Sequence, residues 1–246
     1  MDAGCTMPEG VAVTEPVFQN RADMLAQCMA GYSPEELSAM LSVKHSLAVE
    51  NHLRYQDFPI AQTRRPAACM YSGMVFRQLY FESLSAEDMT YANDRMTICS
   101  FLYGILRPLD MINPYRLEGK VHLPCLDGES VMESWRPLLT DALISTVREH
   151  SDGVLLNLAS DEMRGLFDWK RVQRSVKVIT PTFRVNSPSG PRTVTIYAKM
   201  CRGLMARYVI QHRIADKAAL EAFDAQGFAF YGGDDSVMDF RVDIIK

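Results

Sequence analysis

Apolar residues change their spacing along this chain, and the change separates a helical first half from a strand-rich second half. Residues 18–58 carry apolar positions at helical spacing. Ser33-Pro34-Glu35-Glu36 sets an N-cap serine before a proline at the first helical position, with a glutamate one turn on. The helix it starts is predicted to run to residue 41, and a second is predicted over 44–57, stopped by Pro59. Residues 67–81 read as helix interrupted at Ser72-Gly73, and Ser85-Ala86-Glu87-Asp88 starts another that reaches Asn93. Residues 95–101 read as a strand, and 131–150 as a helix that Pro137 kinks or divides. The short, continuously apolar run 153–158 predicts a strand in a sheet interior, followed by a Ser160 cap. Residues 176–185 and 193–198, rich in β-branched side chains, flank a Pro/Gly/Ser segment and predict a hairpin. Residues 199–213 read as a helix, and 228–231 with 237–242 as a second hairpin. No repeat, low-complexity tract or interdomain linker interrupts this order. It predicts one α+β domain over 17–246, a mixed β-sheet surrounded by helices. Residues 1–16, with Gly4, Pro8, Gly10 and Pro16 and little periodicity, are expected to form a mobile arm.

One stretch follows neither period. The run 102–118 sets Gly104, Pro108, Pro114, Arg107, Arg116, Tyr115, Asp110 and Glu118 among apolar residues. Each proline biases the residue before it, Arg107 or Asn113, away from the helical region, and Gly104 permits a backbone angle that other residues resist. The run reads as shaped backbone that holds polar groups in fixed places. A guanidinium fork meets an oxyanion with two parallel hydrogen bonds, which makes Arg107 and Arg116 candidate anion ligands. The competing reading pairs each arginine with a nearby acid, Asp110 or Glu118, so that the loop contributes only its shape.

Three further places carry polar groups with two readings each. Asn157 and Ser160-Asp161-Glu162 fall where the apolar strand ends, a position that gathers ligands in α/β sheets; helix capping is the alternative. On the helix 199–213, Lys199, Arg202 and Arg213 share a stripe, with Arg207 nearer Lys199. That basic face either binds an anion or is simply solvated. Tyr71-Ser72-Gly73-Met74-Val75-Phe76 joins two apolar segments, with Arg64, Arg65 and Arg77 nearby. It is either a kink between core helices or a hairpin that offers backbone N–H groups to a phosphate.

Composition narrows the classes. The net charge of −4 argues against a chain coated in positive charge, though not against a local basic groove. No run approaches the ~20 apolar residues that span a bilayer. The start, with Asp2, Glu9 and Glu15, lacks the character of a signal peptide, so the expected compartment is the cytoplasm. The six cysteines form no CxxC and are expected as reduced, mostly buried thiols. The five histidines are dispersed, and no metal is expected. There is no GxSxG, Walker loop or GxGxxG, so no cofactor is expected and no catalytic set stands out.

The run 102–118, LYGILRPLDMINPYRLE, resembles the signature of the YaaA family of bacterial proteins, also called DUF328 or UPF0246. Asn157-Leu158-Ala159-Ser160-Asp161-Glu162 is similar to that family's NLASDE, and residues 197–207 to its YxKxxRGxMxR. Gly227-Phe228 sits at its late EGF or EGY, with Gln226 in place of the acid. The resemblance runs from about residue 30 to the C-terminus. What it implies is a role in peroxide stress, with limitation of free intracellular iron and protection of DNA. It also implies DNA binding without strong sequence preference in a basic cleft, and a helix-hairpin-helix-like element at Gly73. On that reading Arg107, Arg116, Lys199, Arg202, Arg207 and Gly73 form the nucleic-acid or anion-binding set. Asp110, Tyr115, Asn157, Asp161 and Glu162 are then the polar groups of the cleft. The alternative is an enzyme of unknown reaction on a small anionic substrate held by the same arginines; a membrane is not an expected partner. The family's opening apolar strand and its Ala-Lys-Thr segment have no match in Met1-Asp2-Ala3-Gly4. The sheet is therefore expected to lack that strand and to show an open slot or edge near 153–158.

Overall fold

The structure, a computed structural model, describes residues 7–60, 64–150 and 153–243. Its first half consists mainly of short helices, two of them started by serine caps. Ser33 opens α2 (Pro34–Met40), which lies between α1 (Gln19–Ala30) and α3 (His45–Gln56). The Ser33 hydroxyl accepts from Glu36 N at 3.3 Å, and the Glu36 carboxylate accepts from Ser33 N at 2.8 Å. Two orphan donors of the first turn are thereby satisfied reciprocally. The interrupted segment is α4 (Ala67–Met70) and α5 (Met74–Leu79). Ser85, accepting from Asp88 N at 3.0 Å, caps α6 (Ala86–Arg95). The strands β1 (Arg65–Pro66), β2 (Ile98–Ser100), β3 (Gly104–Leu106) and β4 (Met111–Ile112) form two small antiparallel pairs, β1 with β4 and β2 with β3. The helix α7 (Val131–His150) is not divided at Pro137. Proline removes one backbone hydrogen bond, but Val131, Trp135, Leu139, Leu143 and Val147 bury a continuous stripe around it. Trp135 is fully buried, and its Nε1 donates to the Phe101 carbonyl at 2.8 Å.

The second half is built on one larger sheet. Its elements are β5 (Val154–Leu156), α8 (Asp161–Arg164), α9 (Trp169–Ser175), β6 (Lys177–Asn186), α10 (Thr195–His212), α11 (Lys217–Glu221), β7 (Ala229–Gly233) and β8 (Val237–Asp243). The strand order is β5-β6-β8-β7, with β5, β6 and β8 parallel and β7 antiparallel to β8. Ile179, Phe183, Val185, Met238 and Phe240 form one core layer with Ala198, Cys201 and Met205 of α10. Val178 and Leu155 turn the other way, into the larger core that holds α1 to α7. Past Val178, that second face carries Thr180, Thr182, Arg184 and Asn186 beside Val237, Asp239, Arg241 and Asp243.

Four expectations change. The hairpin read over 176–198 has only its first arm: the second enters α10 at Thr195, and a single bridge, Val185 to Arg192, remains. The apolar stripe of α10, buried on the sheet, outweighs the local β-branched preference. The run 153–158 lies not in the sheet interior but at an edge. Among the described residues β5 pairs only with β6, where an open edge was also anticipated. Its continuous apolarity has another cause: Leu155 packs into one core and Val154 and Leu156 into the other. Of the expected arm, residues 1–6 lie outside the described residues. Thr14 in the remainder is tied down, its N donating to Leu109 O at 3.0 Å and its O accepting from Met111 N at 2.8 Å. Cys28, Cys99, Cys125 and Cys201 are free thiols, whereas Cys69, against expectation, is disulfide-bonded.

Candidate functional site

In the signature run both arginines have acid partners, Arg107 a buried one and Arg116 a half-buried one. Asp110 is fully buried and accepts from Arg107 N at 2.7 Å, Arg107 Nε at 3.1 Å and Thr14 Oγ1 at 2.6 Å. Arg107 Nη2 donates to the Glu15 carbonyl at 3.1 Å. Arg116 pairs with Glu118 at 2.8 Å. Tyr115 is buried: its hydroxyl lies 2.7 Å from Ser100 Oγ and 2.8 Å from the Tyr71 hydroxyl. Burial pushes the phenol pKa of both tyrosines up, so they remain neutral hydrogen-bonding groups. Tyr71 also stacks on Phe76 at 4.9 Å, which joins the signature run to the α4–α5 pair.

On α10 the family pattern divides into scaffold and free groups. Gly203 lies against α5: a Cβ there would meet the Val75 carbonyl oxygen at 2.2 Å. Met205 is fully buried. Arg207 Nη1 donates to Leu79 O and Tyr80 O, each at 3.0 Å, and to Ser83 Oγ at 2.8 Å, closing the end of α5. Arg213 pairs with Asp88 at 2.7 Å and lies over the Tyr91 ring. Two cations differ. Lys199 is exposed, and half-buried Arg202 has no hydrogen-bond acceptor or ion pair among the described residues. Burial lowers the Arg202 pKa; Asp161 opposes that shift and Arg164 reinforces it. Asp161 itself pairs with Arg164.

The structure therefore brings the 157–162 motif and the α10 motif together at Arg202, Asp161 and Arg164. It directs Arg107, Arg116 and Arg207 to other partners. Ser160 caps α8, accepting from Met163 N at 3.4 Å, while Glu162 is exposed. Asn157 is buried; its Nδ2 donates to Thr180 Oγ1 at 3.3 Å and its Oδ1 accepts from Ala159 N at 3.2 Å. Gly73 is an exposed N-cap with φ −65°, and a Cβ there would meet nothing within 4 Å. That turn does not require glycine.

Sequence reasoning missed the polar face of the large sheet. Thr182, Arg184, Asp239 and Arg241 lie there, with Arg184 directly opposite Arg241. The signal was present: 179–186 and 237–243 alternate apolar and polar residues strictly enough to mark two half-polar strands. Without the pairing of β6 to β8, the two polar rows had no reason to be joined.

Fold and site together define an α+β protein whose long helix α10 carries two cations, Lys199 and Arg202, that have no ion pair among the described residues. The chain belongs to the family of the peroxide stress protein YaaA, whose family model matches residues 1–232. It is 47% identical over 218 residues to a UPF0246 protein of Bacteroides fragilis, covering 88% of this chain and 84% of that one. A UPF0246 protein of Phocaeicola vulgatus is 44% identical over 219 residues, covering 89% and 86%. One of Ruegeria pomeroyi is 38% identical over 223 residues, again covering 89% and 86%. The chain is thus a peroxide-stress-associated protein of that family. Among the described residues no helix is long and apolar enough to cross a membrane.

Proposed function

We propose that this protein binds DNA phosphates without strong sequence preference, and so limits iron-dependent oxidative damage to DNA in the cytoplasm during peroxide stress. The observation that carries the reading is the Arg202 guanidinium, half-buried and without an acceptor among the described residues, with Arg164 acting against its charge and Asp161, already paired with Arg164, only partly offsetting its burial. A desolvated cation beside a like charge gains from an added anion. Lys199 stands one turn away on the exposed side. Because α5 packs tightly on α10, the exposed Gly73 turn and the exposed Arg77 belong to the neighbouring helix, and the proposal takes that turn as the hairpin that offers backbone N–H groups. On this reading Arg107 and Arg116 are engaged by acids of their own run, and Arg207 braces the end of α5 beside α10.

Fluorescence anisotropy with a mixed-sequence duplex, measured across salt concentrations, tests the reading. Affinity should fall steeply with salt, because each neutralised phosphate releases counterions. The double variant Lys199→Ala, Arg202→Ala should weaken binding and flatten the salt slope by about 2. Affinity that ignores both salt and this substitution would overturn the proposal.

A further inference from the structure

The polar face of the large sheet contains a charge arrangement that the proposed DNA-binding surface does not use. Arg184 of β6 and Arg241 of β8 stand directly opposite each other. Like charges so placed repel. A single buried carboxylate lies between them: Asp239 Oδ1 meets Arg184 Nε at 2.9 Å and Asp239 Oδ2 meets Arg241 Nε at 2.7 Å. Thr182 Oγ1 donates to the same Oδ1 at 3.0 Å. Asp239 is 6% exposed, so its orientation is set and it holds both guanidiniums by their Nε edges. Neither guanidinium has another hydrogen-bond acceptor among the described residues. One carboxylate thus serves two cations, leaving the terminal N–H groups of both guanidiniums without an acceptor among the described residues.

These groups border an open cavity of about 410 Å³, with Tyr231, Gly233 and Asp234. That volume lies within the range of roughly 300–1,000 Å³ of small-molecule sites. The Tyr231 ring is 65% exposed, and the Arg241 guanidinium lies over it at 3.6 Å. This stacking fixes the cation from a second side. Gly233 brings the β7 backbone against β8: a Cβ there would stand 2.1 Å from the Val237 carbonyl oxygen. The cavity wall on that side is therefore main chain. Asp234 is the second acid on the border, but its Oδ1 accepts from Ser236 N, Ser236 Oγ and Val237 N, each at 2.8 Å. It forms no ion pair with either arginine and leaves an acceptor for a ligand hydroxyl or amino group.

We propose that this cavity is a binding site for a small phosphate-bearing molecule, its phosphate held by Arg184 and Arg241 together. Two guanidiniums positioned in advance by a shared carboxylate match the several acceptor oxygens of a phosphate monoester. A single lysine does not reproduce that fork. The proposal is independent of DNA binding at Lys199 and Arg202.

Isothermal titration calorimetry of the full chain with glycerol 3-phosphate tests it, with inorganic phosphate as the smaller probe and glycerol as the phosphate-free control. Both phosphates should saturate one site per chain, and glycerol should not bind. Arg184→Gln and Arg241→Gln should each weaken binding by about tenfold or more, the loss expected for a charge-assisted hydrogen bond. Lys199→Ala with Arg202→Ala should leave this binding unchanged. If a glutamine variant fails to fold, Arg184→Lys and Arg241→Lys carry the test, since each keeps the charge toward Asp239 and removes the fork. No saturable binding by the wild-type chain, or equal binding by the folded arginine variants, would overturn the site.

Discussion

A Cβ on Gly203 would stand 2.2 Å from the carbonyl oxygen of Val75. The glycine is therefore what lets α10 lie directly on α5. Alanine gains about 1 kcal/mol in helix propensity over glycine. Against backbone that cannot swing aside, overpacking costs about 1–3 kcal/mol or more. Gly203→Ala should lower the urea midpoint with an unchanged slope. Gly73→Ala, into open space at an ordinary φ, should cost under about 1 kcal/mol. The reverse ranking would show that the α4–α5 turn, and not the helix contact, is what requires glycine.

Arg207 is a brace. Tyr80 ends α5 at φ +47°, and Arg207 satisfies the carbonyls of Leu79 and Tyr80 and the Ser83 hydroxyl. Arg207→Ala strands those acceptors and should cost about 1–3 kcal/mol in thermal or chemical unfolding. Its effect on duplex affinity should be smaller than that of Arg202→Ala, because it alters position and not a contact. A loss of affinity equal to that of Arg202→Ala, with unchanged stability, would make Arg207 a phosphate ligand after all.

Asp110 fastens the segment at Thr14 to the signature run. Asp110→Asn keeps the shape but removes the charge that Arg107 and Thr14 Oγ1 share. A drop of about 1–3 kcal/mol in stability is expected. New limited-proteolysis cleavage should appear close to Thr14. Unchanged cleavage and melting would mean that the backbone pairing of Thr14 with Leu109 and Met111 suffices alone.

Tyr55, Tyr71, Tyr103 and Tyr115 make an alkaline prediction. Burial raises each phenol above its ordinary value of 10.0. A raised folded pKa gives stability that is complete below the unfolded value and lost as pH climbs past it. Stability should therefore hold up to about pH 10 and then fall by about 1.4 kcal/mol per pH unit for each phenol that titrates only when unfolded. Phenolate absorbance from these four should appear only together with unfolding. A single smooth titration of every tyrosine would contradict the buried cluster.

Local chemistry was readable in advance; partnership across the chain was not. The Ser33 and Ser85 caps, the break at Gly73 and the hairpin of β7 and β8 follow from neighbours within a few residues. The Arg107–Asp110 lock was one of two readings for the same reason. Arg207 was read as part of a basic face because its acceptors at Leu79 and Tyr80 lie 128 and 127 residues away. The second arm of the first predicted hairpin failed at Thr195, where burial of one helix stripe against the sheet overrode β-branched preference. The Arg184–Asp239–Arg241 group needed the register of β6 on β8, a long-range pairing that no local pattern specifies.

The position of β6 has a consequence for how the chain is made. Its neighbours are β5, which precedes it, and β8, which follows every other element in chain order. While the ribosome is still delivering α10 and α11, β6 has one side of its backbone waiting for a partner not yet synthesised. Helices α1 to α3 pack on one another through nearby contacts and can condense early, whereas α5 waits for α10 and the sheet closes late through distant pairing. Until β8 is delivered, the nascent chain therefore carries β6 with its apolar row, Ile179, Phe183 and Val185, beside an unpaired backbone edge.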